Sequence, residues 1–155
     1  MTVTVGKKVP AFGAAITGSD EAWKLADAAG EKLVIYFYPK DMTSGCTRES
    51  QDFRDLHSAF RKAGVDIIGI SRDSVKSHDK FIEKEKLPFP LLSDADEKVC
   101  KLFDVIQEKS LYGKKYMGVE RSTFLLDGTG ILRREWRKVK VPGHAEEVLE
   151  AAKSL

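Results

Sequence analysis

The sequence has little of the residues that define several protein classes. Two cysteines among 155 residues cannot build a disulfide scaffold, and with three histidines they argue against a structural zinc site. Five prolines and 12 glycines exclude collagen-like and proline-rich classes. Lys plus Arg is 26 and Asp plus Glu is 24, so the net charge of +2 is too small to concentrate nucleic acid or acidic lipid. We therefore expect one domain spanning residues 1–155, with no metal or cofactor.

Long hydrophobic segments are also absent. The longest uninterrupted apolar run covers residues 33–38, which is too short to cross a bilayer. The first thirty residues contain neither a signal-peptide core nor an arginine-rich transit pattern. These features predict a cytoplasmic protein. In that reducing compartment a functional cysteine is more often catalytic or redox-sensing than structural.

Strand and helix patterns alternate along the chain. The apolar run 33–38 is continuous, which is typical of a strand that is buried on both faces. Asp127-Gly128 predicts a hairpin turn. The remaining patterns predict strands at 65–70, 89–92, 122–126 and 131–138 and helices at 46–62, 74–86, 94–103 and 144–153. The order predicts an α/β fold with a central mixed sheet flanked by helices on both faces.

Two local predictions concern the ends of these elements. Asp94 or Asp96 is expected to cap the helix at 94–103. Segment 106–118 has weak periodicity and is expected to be a loop beside the functional pocket, with Tyr112 or Met117 in the pocket wall.

Cys46 lies where the predicted helix 46–62 begins. Backbone N–H groups there have no intrahelical partners and the helix dipole is positive, and both effects favour a thiolate. Phe53 and Leu56 share a helix face with Cys46, so its sulfur is expected to point inward.

The residues around Cys46 could assist an anion. The hydroxyl of Thr43 can donate and accept hydrogen bonds, and Gly45 allows a backbone N–H to approach a bound oxygen. Pro39 would stiffen the loop and shield the sulfur. Glu49 lies one turn after Cys46, where its charge would oppose a thiolate, so we expect it to have an arginine partner or a hydrogen-bonding role.

Residues 39–49, PKDMTSGCTRE, resemble the active-site motif of the peroxiredoxins, Pro-x-x-x-Thr/Ser-x-x-Cys. Residues 5–12, VGKKVPAF, resemble the N-terminal segment of the family. Five other segments resemble the branch called peroxiredoxin Q or bacterioferritin comigratory protein: LVIYFYPKD (33–41), GISRDSV (69–75), FPLLSD (89–94), GVERSTF (118–124) and WRKVKV (136–141). The resemblance implies a thioredoxin-like fold and thiol-dependent reduction of hydrogen peroxide and organic hydroperoxides. It assigns Cys46 as the peroxidatic cysteine, Thr43 as the hydroxyl that contacts peroxide and Arg121 as the active-site arginine.

The chain departs from this family pattern at two places. Ser44 stands where the family usually has proline, which changes loop stiffness but keeps the reacting groups. A resolving cysteine is missing from its two usual places, which here are Gln51 and residues 81–83. Cys100 is the other thiol, and its apolar neighbours indicate a core residue. We therefore expect an external thiol, from thioredoxin or from glutathione with glutaredoxin. The resemblance to this branch also implies a monomeric enzyme.

Other functions remain open at this stage. A thiol–disulfide oxidoreductase would need a Cys-x-x-Cys pair, but Thr43 and Glu49 occupy the positions three residues from Cys46. A two-cysteine cycle through Cys100, or a binding module with an incidental Cys46, is also possible. A Cys-His hydrolase would need a histidine base; three histidines, His57, His78 and His144, are expected to be solvated or structural. The basic stretch 133–140 is expected to be a solvated surface.

Overall fold

The computed structural model describes residues 2–155. The strands are β1 Gly13–Ile16, β2 Trp23–Lys24, β3 Lys32–Phe37, β4 Val65–Ser71, β5 Leu91–Ser93, β6 Ile106–Leu111, β7 Lys114–Val119, β8 Ser122–Leu126 and β9 Leu132–Trp136. The helices are α1 Ser44–Asp55, α2 His57–Lys62, α3 Val75–Glu85, α4 Lys98–Leu102 and α5 His144–Lys153, with a short 3-10 helix at Leu25–Ala28. Among the described residues, no helix has the length and apolar content needed to cross a membrane.

Seven of the strands form one mixed sheet in the order β2-β1-β5-β4-β3-β8-β9. Strands β3, β4 and β5 run parallel, and β8 pairs antiparallel with β3. β3 lies inside the sheet, and every residue from Leu33 to Phe37 is buried. The continuous apolar run 33–38 is explained by this position, since a strand covered on both faces needs no polar side.

Alternate residues of β3 project into two hydrophobic cores. Val34 and Tyr36 belong to the first core, which also holds Cys46 and residues of α1, α2, α3 and α5. Leu33 and Ile35 belong to the second core, which is covered by α4 and by N-terminal residues. Helices therefore cover both faces of a mixed sheet, which confirms the predicted fold class.

Several element boundaries differ from those predicted. The helix expected at 46–62 begins at Ser44 and is divided into α1 and α2 at Leu56, whose φ of −99° and ψ of 3° interrupt the helical backbone. Helix α4 is shorter than expected and follows Glu97. The carboxylate of Asp94 nevertheless accepts hydrogen bonds from the N–H groups of Val99 and Cys100, so it satisfies the start of α4 from outside the helix.

The expectation of a loop over 106–118 is wrong. Strands β6 and β7 form a separate antiparallel hairpin, joined by Tyr112 and Gly113. Both joining residues have positive φ, 50° and 78°, which is the geometry of a tight type I′ turn. Most of the hairpin is exposed on both faces, so its side chains need not alternate between apolar and polar, and the usual sequence signal of a strand is weak.

Candidate active site

The pairing of β3 with β8 determines where the site forms. Phe37, at the end of β3, pairs with Ser122, the first residue of β8. Arg121 immediately precedes β8, and the chain leaving β3 passes through Pro39 to reach α1. The carboxyl end of β3, the start of α1 and Arg121 therefore meet at the end of the sheet where the parallel strands terminate. Functional sites of such folds lie at this end.

Cys46 is the third residue of α1 and is 1% exposed. The first hydrogen bond of the helix runs from the N–H of Thr47 to the carbonyl of Thr43, so the N–H of Cys46 precedes it. The guanidinium of Arg121 donates from Nη2 to the Cys46 Sγ at 3.3 Å. The sulfur thus faces both a helix N-terminus and a cation, the two features that stabilise a thiolate.

Arg121 also contacts Glu49, the residue for which the sequence predicts an arginine partner. Its Nη1 donates to Glu49 Oε1 at 2.7 Å, and the two side chains are 16% and 1% exposed. Burial raises the pKa of Glu49 to about 7, although the arginine charge acts in the opposite direction. Burial lowers the pKa of Arg121, but Glu49 and Cys46 together raise it above its usual value. The guanidinium therefore stays charged and is fixed between carboxyl and sulfur.

The other predicted site residues lie in or beside the same loop. Thr43 is exposed at the start of α1, and its Oγ1 donates to the Lys40 carbonyl at 2.8 Å, which leaves its oxygen able to accept from a ligand. Pro39 follows β3 and is half-buried. A Cβ atom added to Gly45 would lie 3.1 Å from Arg121 Nη2, so glycine allows the guanidinium to approach the helix start.

Cys100 is not brought to this site. It is fully buried in the second core, whereas Cys46 lies in the first, and the sheet separates the two cores. Burial and a hydrogen bond to Asp94 raise the pKa of the Cys100 thiol far above its ordinary value. Cys100 therefore has the environment of an unreactive core residue.

The two hairpin residues proposed for the pocket wall are largely solvent-exposed. Tyr112 lies at the turn of the hairpin and is 97% exposed, so its predicted place in the pocket wall is wrong. Met117 is 56% exposed and is not enclosed either. Lys109, on β6, is the hairpin residue whose charge is close to the site. Its aliphatic chain packs over Gly118, and burial together with the Arg121 charge lowers its pKa.

A buried polar cluster behind the loop is absent from the sequence-based predictions. Asp41 accepts hydrogen bonds from Tyr38 and Ser77, and its carboxylate lies 2.7 Å from the Nδ1 of His78. Ligand atoms of Asp41, Asp73 and His78 lie within 4.8 Å of one another, a spacing that a metal ion could bridge. Both oxygens of Asp41 already accept internal hydrogen bonds, so the cluster is satisfied as a hydrogen-bond network. The sequence signal that could have indicated this cluster is Asp41 itself, an acidic residue in the short loop between the buried strand and Cys46.

The histidines have structural environments. The Nε2 of His144 lies 2.7 Å from the Thr123 hydroxyl, and burial lowers the pKa of His144 to about 4. His78 belongs to the Asp41 cluster, and His57 is only partly buried. Each of the two buried rings has a partner other than Cys46, which disfavours a Cys-His hydrolase.

The chain is similar to known peroxiredoxins. The model of the AhpC/TSA family matches residues 5–135. Peroxiredoxin Bcp of Xanthomonas campestris is 60% identical over 81% of this chain and 79% of its own length. Peroxiredoxin Bcp of Bacillus subtilis is 49% identical over 100% of this chain and 98% of its own. A solved structure of the bacterioferritin comigratory protein of X. campestris, determined to study alkyl peroxide reduction, is 53% identical with a TM-score of 0.87 and covers 92% of this chain and 90% of that one.

The matches extend over nearly all of this chain and of its relatives, and they agree with the observed mixed sheet and its helices. The protein therefore belongs to the AhpC/TSA family, in its peroxiredoxin Q or Bcp branch, and is a thiol-dependent peroxidase with a thioredoxin-like fold.

Proposed function

We propose that Cys46 is the peroxidatic cysteine and that Arg121 and Thr43 are its catalytic partners. The observation that supports this assignment most is the 3.3 Å contact between Cys46 Sγ and Arg121 Nη2, because Glu49 fixes the same guanidinium from its other side. A permanently charged fork of this kind can stabilise both a thiolate and the negative charge that develops on a peroxide oxygen.

The reaction begins with attack of the Cys46 thiolate on one oxygen of the peroxide. The S–O bond forms as the O–O bond breaks, and the leaving oxygen takes a proton to become water or an alcohol. Thr43 and the N–H groups near Gly45 and Cys46 hold the two oxygens in line with the sulfur, while Pro39 shields the site. Cys46 is oxidised to a sulfenic acid.

An external thiol completes the cycle in this proposal. The sulfenic acid condenses with the first thiol to form a mixed disulfide and water, and a second thiol releases Cys46 by exchange. The placement of Cys100 in the other core supports an external donor, because a disulfide requires Cα atoms within about 7 Å. The donor would be thioredoxin, or glutathione with glutaredoxin.

The proposed substrates are hydrogen peroxide and organic hydroperoxides, reduced in the cytoplasm by a monomer whose activity lies in a single domain. Nucleic acid is not among the proposed partners. The basic stretch supports this view, since its arginines pair with neighbouring carboxylates: Arg133 with Asp127, Arg134 with Glu147 and Arg137 with Glu135. Paired cations contribute little to a field that would attract a polyanion.

Mass spectrometry after one equivalent of hydrogen peroxide tests the proposed cycle. We expect a sulfenic acid at Cys46, detected as the thioether that dimedone forms with it as water leaves, and a Cys100 that reacts with an alkylating reagent only after denaturation. A disulfide between Cys46 and Cys100 would refute the external thiol. Oxidation elsewhere with Cys46 unchanged would refute the assignment of the peroxidatic residue.

A further inference from the structure

The carboxylate of Asp41 is held from three directions inside the protein. Its side chain is 1% exposed, and Tyr38 donates to Oδ1 at 2.5 Å while Ser77 donates to Oδ2 at 2.8 Å. The Nδ1 of His78 lies 2.7 Å from the same Oδ2. Asp41 is thus the part of the loop between β3 and α1 that is fixed to α3.

Both ring nitrogens of His78 have hydrogen-bond partners. Its Nε2 lies 2.8 Å from the carbonyl oxygen of Leu92, which can only accept, so Nε2 carries a proton. Its Nδ1 lies against Asp41 Oδ2, and a proton lies between these two atoms. The ring is thereby fixed between β5 and the loop, and His78 and Asp41 form a buried hydrogen-bonded pair.

The main chain of Asp41 is fixed at the same point. Its N–H donates to Asp73 Oδ2 at 2.8 Å, and the next residue, Met42, has a φ of +61°. A non-glycine residue keeps this left-handed conformation only where its surroundings require it. Fixing Asp41 therefore fixes the left-handed backbone at Met42, and Thr43 follows immediately as the N-cap residue that precedes α1.

We propose that the buried Asp41–His78 pair is a positioning device for peroxide reduction, which sets the loop so that Thr43 and the first N–H groups of α1 meet the peroxide oxygens. Neither residue touches the reacting atoms. This inference rests on the proposed function of Cys46. It assigns to α3 a role in substrate positioning, transmitted through Asp41.

The test compares two substitutions of one residue. Asp41→Ala removes the anchor, whereas Asp41→Asn keeps an oxygen that can accept from the Tyr38 hydroxyl and supplies an amide N–H that can donate to His78 Nδ1. We expect the rate of Cys46 oxidation by hydrogen peroxide to fall about tenfold or more in Asp41→Ala and to stay within about threefold in Asp41→Asn. Asp79→Ala, an exposed position on the same helix, is the matched control and should react like the parent protein.

Alkylation of Cys46 by iodoacetamide separates positioning from a general loss of structure, because it needs the sulfur but not the groups that hold peroxide oxygens. We expect alkylation to change by less than about twofold in both variants. If circular dichroism shows that Asp41→Ala does not fold, Ser77→Ala takes its place, with an expected loss of about threefold in peroxide oxidation alone.

Two results would overturn the inference. One is a Cys46 in Asp41→Ala, or in Ser77→Ala where that replaces it, that peroxide oxidises as fast as in the parent protein. The other is an equal fall in the rates of peroxide oxidation and of alkylation of Cys46 in that variant. Both differ from failure of the proposed function itself, which would appear as peroxide reduction by a Cys46→Ser protein.

Discussion

We expect the Cys46→Ser protein to reduce hydrogen peroxide no faster than the reductant does without enzyme. A serine hydroxyl is a far weaker nucleophile at neutral pH and forms no sulfenic acid, so the first step of the cycle is lost. The helix start and Arg121 remain in place in this variant. Steady-state peroxide consumption with dithiothreitol as reductant measures the effect.

The matched control is the Cys100→Ser protein, which should keep most of the turnover. Cys100 lies in the second core, and its thiol is held protonated by burial and by Asp94. Because serine places a hydroxyl in that core, Cys100→Ala and a thermal melt distinguish a loss of stability from a loss of catalysis. Loss of activity in both Cys100 variants at full folding would contradict the single-cysteine cycle.

The second large effect is expected for Arg121→Ala. We expect kcat/KM for peroxide to fall by about 10²- to 10³-fold, because the variant loses the donor that faces both the sulfur and the leaving oxygen. The substitution also leaves Glu49 buried without its cation. The pKa of Glu49 is about 7 because burial raises it and Arg121 partly opposes that rise. Removal of the arginine therefore raises this pKa further, so that Glu49 takes up a proton.

The double variant Arg121→Ala/Glu49→Gln separates these two effects. Glutamine is neutral and relieves the burial of an unpaired acid, so we expect the thermal stability of the double variant to exceed that of Arg121→Ala. Its peroxide rate should remain low, since the donor is still missing. Recovery of the rate in the double variant would show that Arg121 serves only to compensate Glu49.

The central part of the fold could be predicted because its sequence signals are local. The uninterrupted apolar run 33–38 indicated an inner strand, and β3 is buried on both faces. Asp127-Gly128 indicated the turn between β8 and β9. Cys46 was placed near a helix start by the pattern of Phe53 and its neighbours, and the helix begins only two residues earlier.

Some features could not be predicted from the sequence, because they depend on contacts between distant residues or because their exposed surfaces leave no hydrophobic pattern. β2 has two residues and β1 has four, so both strands are too short for a sequence pattern to indicate them. Most of the β6–β7 hairpin is exposed on both faces, so its apolar and polar residues do not alternate. The pair of Asp41 and His78 joins residues 37 positions apart, and no local pattern indicates that α3 packs its histidine against the loop.

The most direct test of this account is the second-order rate constant for oxidation of Cys46 by hydrogen peroxide. Single-turnover stopped-flow measurements on the Cys100→Ser protein at neutral pH would follow this one thiol. The account predicts a rate constant about a thousandfold or more above that of free cysteine, because the helix N-terminus and Arg121 stabilise both the thiolate and the leaving oxygen. A rate constant equal to that of free cysteine would contradict it.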